Sequence, residues 1–160
     1  MLGNGAGRPL INAVGKPRVV INGTCLDFLA ESFMAGDPLS GGGFVILNGM
    51  EFDGHAKLVP QASPYPGSNL FSLASGGAIY VRDPHKKLVE QQLNGGVFSP
   101  FTNPDWRLIR PYLEENERLF GIKVSDLLTV NGKTCEPEQV YRKVSAQALA
   151  VLAAATEKKK

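Results

Sequence analysis

The sequence predicts a mainly β, solenoid-like domain followed by a helical tail. Three observations point there. Short β-branched runs recur, each stopped by a turn. Double glycines precede two of them. The composition then changes past residue 100, where glycine gives way to helix-forming residues. Of the 18 glycines, only Gly121 and Gly132 lie beyond Gly96. The reading divides the chain into a flexible glycine-rich start (1–16), a β domain (17–100) and a helical tail (101–160).

The opening Gly3-Asn4-Gly5-Ala6-Gly7 does not read as a phosphate-binding loop, because almost nothing precedes it to form a strand and Pro9 follows. The runs Arg18-Val19-Val20-Ile21, Phe44-Val45-Ile46-Leu47 and Ala78-Ile79-Tyr80-Val81 have strand length and composition. They stop at Asn22-Gly23, Asn48-Gly49 and Arg82-Asp83-Pro84, and the last two follow Gly42-Gly43 and Gly76-Gly77. Such short apolar strands cannot bury a face alone, so stacked copies sharing a core are expected. Helical crossovers are disfavoured because 56–71 is rich in Pro, Ser and Gly. Core candidates are Val20, Ile46, Leu47, Ile79 and Val81.

In the tail, Asn103-Pro104-Asp105 is a helix start, with an N-cap, proline at N1 and an acid in the first turn. Trp106, Ile109, Leu113 and Phe120 mark one face. Arg110/Glu114 and Glu114/Arg118 stand four apart on the other, and Gly121 suits the C′ position. Ser125 to Leu128 reads as a helical turn. Pro137 opens a last helix expected to run to about Ala155.

Residues that could carry chemistry are sparse. His55 and His85 are the only histidines, and no HxxxH, HxxE or CxxC spacing is present. Asp83 is near enough in sequence to tune His85. Ser75 in Leu73-Ala74-Ser75-Gly76-Gly77 lacks the first glycine of a nucleophile elbow. Cys25 has no basic neighbour to activate it and reads as a small buried hydrophobe. Asp27 reads as a turn acceptor. Trp106, Tyr112 and Phe120 read as core, not as a base-stacking platform. Cys25 and Cys135 read as reduced thiols, no signal peptide is expected, and 148–155 is too short to span a bilayer. A net charge of +2 gives no nucleic-acid footprint, and Lys158, Lys159 and Lys160 read as a solvated end. A cytoplasmic protein binding neither nucleic acid nor membrane is expected.

Particular residues carry a resemblance. Val19-Val20-Ile21-Asn22-Gly23, Asp27-Phe28-Leu29-Ala30-Glu31 and Met34-Ala35-Gly36 resemble the repeat of the GXGXG domain, which ends the large chain of glutamate synthase. Gly67-Ser68-Asn69-Leu70-Phe71 with 75–82 resembles the next repeat. Leu88 to Gly96, Trp106 to Gly121 and 127–130 resemble the tail of its separately encoded form. The motif positions are Gly23, Asp27, Glu31, Met34, Gly36, Gly42, Gly43, Gly67, Gly76 and Gly77.

The resemblance implies a right-handed parallel β-helix. It also implies a non-catalytic structural subunit in an enzyme that makes glutamate from glutamine and 2-oxoglutarate. Glutaminase and synthase partner chains would do the chemistry, with FMN and an iron–sulfur cluster held in the partners. No catalytic, cofactor or metal residue is implied here. Ala30 departs from a usual glycine, and Asp37-Pro38-Leu39-Ser40 interrupts the expected continuation. The first repeat begins near Pro17, as in a shortened member or a fragment. The alternatives are a GXGXG subunit of a formylmethanofuran dehydrogenase-like complex and a free-standing protein-binding solenoid. An open N-terminal strand near 19–21 suggests a homo-oligomer or a partner seated there.

Overall fold

The computed structural model describes residues 17–31 and 36–147. The expected flexible start (1–16), Met34 and residues 148–160 lie outside them. In chain order the elements are β1 (Arg18–Ile21), β2 (Ala30–Glu31), β3 (Phe44–Leu47), β4 (Met50–Phe52), β5 (Leu58–Pro60), β6 (Phe71–Ser72), β7 (Ala78–Arg82), β8 (Gly96–Ser99), α1 (Asn103–Phe120), α2 (Val124–Leu127), β9 (Thr129–Val130), β10 (Lys133–Thr134), α3 (Pro137–Val140) and β11 (Tyr141–Ala146).

The three β-branched runs are neighbours in one sheet. β1 pairs with β3 in parallel, Val19 opposite Val45 and Ile21 opposite Leu47. β3 pairs in parallel with β7, Val45 opposite Ile79 and Leu47 opposite Val81. β11 then lies antiparallel against β7, and β8 lies antiparallel against β11. The order is β1-β3-β7-β11-β8, and the remaining strands form three two-stranded pairs.

This corrects the expected right-handed parallel β-helix. The fold is mixed α/β, built from small mixed sheets, and no solenoid sheet is present among the described residues. The premise that short apolar strands need both faces covered holds, but α1 covers one face where a further coil was expected. On that face Phe44, Ile46, Ala78, Tyr80 and Tyr141 pack against Ile109 and Leu113 of α1. On the other, Ile21, Val45, Leu47, Ile79, Val81 and Val144 pack against Cys25, Leu29, Tyr65, Leu70 and Phe71 from the connecting segments. Each fully buried aliphatic side chain contributes about 1.5–3 kcal/mol. Because both faces are covered, β3 and β7 are buried at every residue and show no alternation. Val20 is the one half-buried member of the expected core; Ile46, Leu47, Ile79 and Val81 are fully buried.

The helical tail is corrected as well. Pro137 does open a helix, but it is the four-residue α3, and the chain then extends into β11. β7 has an edge to fill, and Tyr141–Ala146 pairs along it. Tyr141 faces α1 and Val144 faces the opposite core. Helix α1 runs over the expected span and ends at Gly121, whose left-handed φ of 71° lets its N–H reach the Glu117 carbonyl. Its cap lies one residue earlier than expected. Asp105 Oδ2 accepts from the Thr102 N–H at 2.9 Å and from its hydroxyl at 2.7 Å. The buried stripe is Asp105, Ile109, Leu113 and Asn116; Trp106 is half-buried and Phe120 is exposed. Arg110 pairs with Glu114 as expected, while Arg118 pairs with Glu115 and not with Glu114.

Candidate functional site

Two of the segments that carry the resemblance meet at one point. Asp27 and the Gly67-Ser68-Asn69 segment, about forty residues apart, form a single clasp. Asp27 Oδ1 accepts the N–H of Ser68 at 2.6 Å and of Asn69 at 2.8 Å, and Oδ2 accepts the Asn69 side-chain amide at 3.1 Å. The buried Tyr65 hydroxyl lies 2.9 Å from Asp27 Oδ1 and 2.7 Å from the Asn69 carbonyl. The Asn69 backbone and side-chain bonds, aided by those from Tyr65 and Ser68, hold the Asp27 carboxyl below its usual range. Gly67 is required by space: a Cβ there would meet the Tyr65 hydroxyl and lie 2.5 Å from Asp27 Oδ1. The Gly67 carbonyl also accepts Gln92 Nε2 at 2.8 Å. Asp27 thus accepts backbone N–H groups, but from a segment 41 and 42 residues away and not within a turn of its own.

The other motif glycines are positioned by backbone demands. Gly36 has a φ of 73° and lies against Gly42, 3.8 Å from where a Cβ would sit. The Gly42 N–H donates to Asp37 O at 2.7 Å, within the turn made by 37–41. Gly43 and Gly76 are buried at the approaches to β3 and β7. Gly77 has a φ of 92°, and its carbonyl accepts the Ala146 N–H. The Gly23 carbonyl accepts the Gly49 N–H at 2.9 Å. Glu31 lies in β2, which pairs with β6 beside the clasp.

A second polar cluster has no counterpart in the sequence reading. The asparagines that end β1 and β3 stack as a ladder: Asn48 Nδ2 donates to Asn22 Oδ1 at 3.0 Å, and Asn22 Nδ2 donates to Asn116 Oδ1 at 2.8 Å. The buried Tyr141 hydroxyl donates to Asn48 Oδ1 at 2.8 Å. Two strand ends, α1 and β11 are thus bound through four side chains.

The candidates for chemistry are dispersed. Cys25 is in the core, and burial, reinforced by Asp27, pushes its thiol up to about 12, so it stays protonated at neutral pH. His55 and His85 are exposed, and Ser75 is exposed. Asp83 does not serve His85: its oxygens accept the Lys87 N–H at 2.8 Å, the Leu88 N–H at 3.0 Å and Arg142 Nη1 at 2.8 Å. Among the described residues, no group of three or more His, Cys, Asp or Glu is placed to hold a metal. With two cysteines in the chain, the four thiolates of an iron–sulfur cluster do not come from here. Among the described residues, no helix is long and apolar enough to cross a membrane.

A concavity of about 690 Å³ lies at the C-terminal end of β7. Its walls are the β4–β5 hairpin, the segment 60–64, the turn 82–87 and the α2–β9 connection. Asp53 shapes the hairpin, accepting the His55 N–H at 2.8 Å and the Lys57 N–H at 3.0 Å. Arg82 forms the floor. It is 5% exposed, and burial lowers its pKa. Nε donates to Leu127 O at 2.7 Å and Nη2 to Thr129 O at 3.0 Å. Neither Arg82 nor this cleft is evident in the sequence, where Arg82 reads only as the end of a strand.

No protein-family model, no curated protein and no solved structure matches this chain.

Proposed function

We propose that this chain is a structural, non-catalytic part of a glutamate synthase-type complex, bracing glutaminase and flavin/iron–sulfur synthase chains that hold the active sites. The observation that carries the reading is the Asp27 clasp. The residues bearing the resemblance, Asp27 and Gly67-Ser68-Asn69, are joined by hydrogen bonds at 2.6–3.1 Å. A motif whose carboxylate is saturated by its own chain serves to hold shape, not to turn over substrate. The architecture implied by the resemblance is not the one found, so the reading stands on these residues.

Coexpression with the glutaminase and synthase chains of a glutamate synthase tests it. The expected result is one stoichiometric complex on size exclusion that carries FMN and iron. A chain that elutes alone while the other two assemble without it contradicts the proposal.

A further inference from the structure

A buried guanidinium normally has a carboxylate beside it, because an isolated charge away from water is costly. Arg82 has none among the described residues. Its described partners are two backbone carbonyls, on Leu127 and Thr129, and its remaining terminal nitrogen, Nη1, donates to no described residue. Nη1 is also not sealed from solvent. Arg82 forms part of the cleft lining, so the cleft is where that nitrogen is reached.

The rest of the cleft has the same sign. Lys57 and Lys87 join Arg82 on the wall, and the acidic side chains there are Asp83 and Asp126. Asp83 is already paired with Arg142 at 2.8 Å. Among the described lining residues, three cations therefore outnumber the one carboxylate that has no ion pair, although Lys57 also acts on Asp53 and Lys87 Nζ donates to Ala62 O at 2.9 Å. Met50, Leu58, Pro60, Pro64 and Val130 supply apolar surface, beside the polar Gln61, Thr129 and Asn131. A volume of about 690 Å³ is in the range of small-ligand sites.

We propose that this cleft binds a small organic anion, with its oxyanion head on Arg82 and its apolar body along Met50, Leu58 and Pro64. Nη1 can donate to an oxygen of a carboxylate or of a phosphate alike, so the shared chemistry is the oxyanion. This site goes beyond the bracing role and does not depend on it.

The test is titration of the full-length chain with pentanoate, butyl phosphate, acetate and the neutral pentanol, followed by amide NMR shifts at Gly49, Lys57 and Asn131. The expected result is saturable binding of pentanoate or butyl phosphate with Kd below about 1 mM, several-fold weaker acetate and no saturation by pentanol. Whichever of the two binds tighter identifies the head. Arg82→Gln should weaken binding about tenfold or more. Because Arg82 also holds α2 and β9, Lys57→Glu provides a rim variant in an exposed position, expected to weaken binding several-fold and more so at low salt. Pentanol binding as tightly as pentanoate, no saturation by either anion, or affinity unchanged in Lys57→Glu and in a folded Arg82→Gln would overturn the proposal.

Discussion

Asp105, in the first turn of α1, and Lys143, in the middle of β11, form a buried ion pair at 2.8 Å across 38 residues of sequence. The same carboxylate oxygen accepts the Tyr80 hydroxyl at 2.7 Å, so β7 joins the group. The Lys143 ammonium also lies 5.9 Å from the Tyr80 ring centroid. Helix start, central strand and closing strand thus meet at one carboxylate. Lys143→Met leaves that carboxylate buried without its cation, and should destabilise the fold by about 3–5 kcal/mol. Chemical denaturation of both proteins measures the difference. A loss below about 1 kcal/mol would mean that water or Tyr80 alone suffices for Asp105.

The same group sets a pH dependence. Burial would raise the Asp105 carboxyl, but the bonds from Lys143, Thr102 and Tyr80 outweigh it and hold the carboxyl below its usual value. A carboxylate depressed in the folded state stabilises above its unfolded pKa of about 3.9, and that stability is lost as pH falls through the lower folded value. Stability should therefore fall between about pH 5 and pH 2, and Asp105→Asn should flatten that slope. Denaturant midpoints across the range give the answer, and an unchanged slope in Asp105→Asn would remove Asp105 from the account.

The clasp makes a steric prediction. Gly67→Ala places a Cβ against the Tyr65 hydroxyl and Asp27 Oδ1, which can move only by giving up the hydrogen bonds of the clasp. About 1–3 kcal/mol of destabilisation is expected. Gly54→Ala, where a Cβ meets nothing within 4 Å, is the control and should change stability little. Equal thermal midpoints for the two variants would contradict the geometry.

The stripe of α1 separates two residues that sequence periodicity groups together. Ile109 is fully buried and Phe120 is 64% exposed. Ile109→Ala should cost about 2–5 kcal/mol, whereas Phe120→Ala should stay within about 0.5 kcal/mol. Comparable losses at both positions would place Phe120 in an interface and not on a solvated helix end.

What is legible in the sequence follows from local physics. The runs at 44–47 and 78–81 are strands because a doubly covered sheet suits such short apolar stretches, and 18–21 pairs along their edge. The span of α1 is marked by Pro104 and Gly121, which act through the backbone itself. The tail misleads because helix propensity after Pro137 says nothing of its surroundings. The open edge of β7 draws Tyr141–Ala146 into a strand, and tertiary pairing overrides a preference of a few tenths of a kcal/mol per residue. The solenoid expectation fails for a related reason. Glycine-spaced strands state that a face must be covered, but not whether a coil or a helix such as α1 covers it. Of the site, Asp27 and Gly67 are legible as motif positions. Tyr65, Lys143 and Arg82 are not, because the side-chain bonds that tie them to Asp27, Asp105, Leu127 and Thr129 span 38 to 47 residues and no spacing rule reaches that far.

The proposal that this chain braces a glutamate synthase-type complex is tested most directly by glutamine-dependent glutamate formation from 2-oxoglutarate. The glutaminase and synthase chains are assayed with the wild-type chain, with Gly67→Ala, and with no third chain. The account predicts full coupling with the wild type, reduced coupling with Gly67→Ala in proportion to the complex lost, and uncoupled glutaminase activity when the chain is omitted. Equal glutamate formation with and without the chain would contradict it.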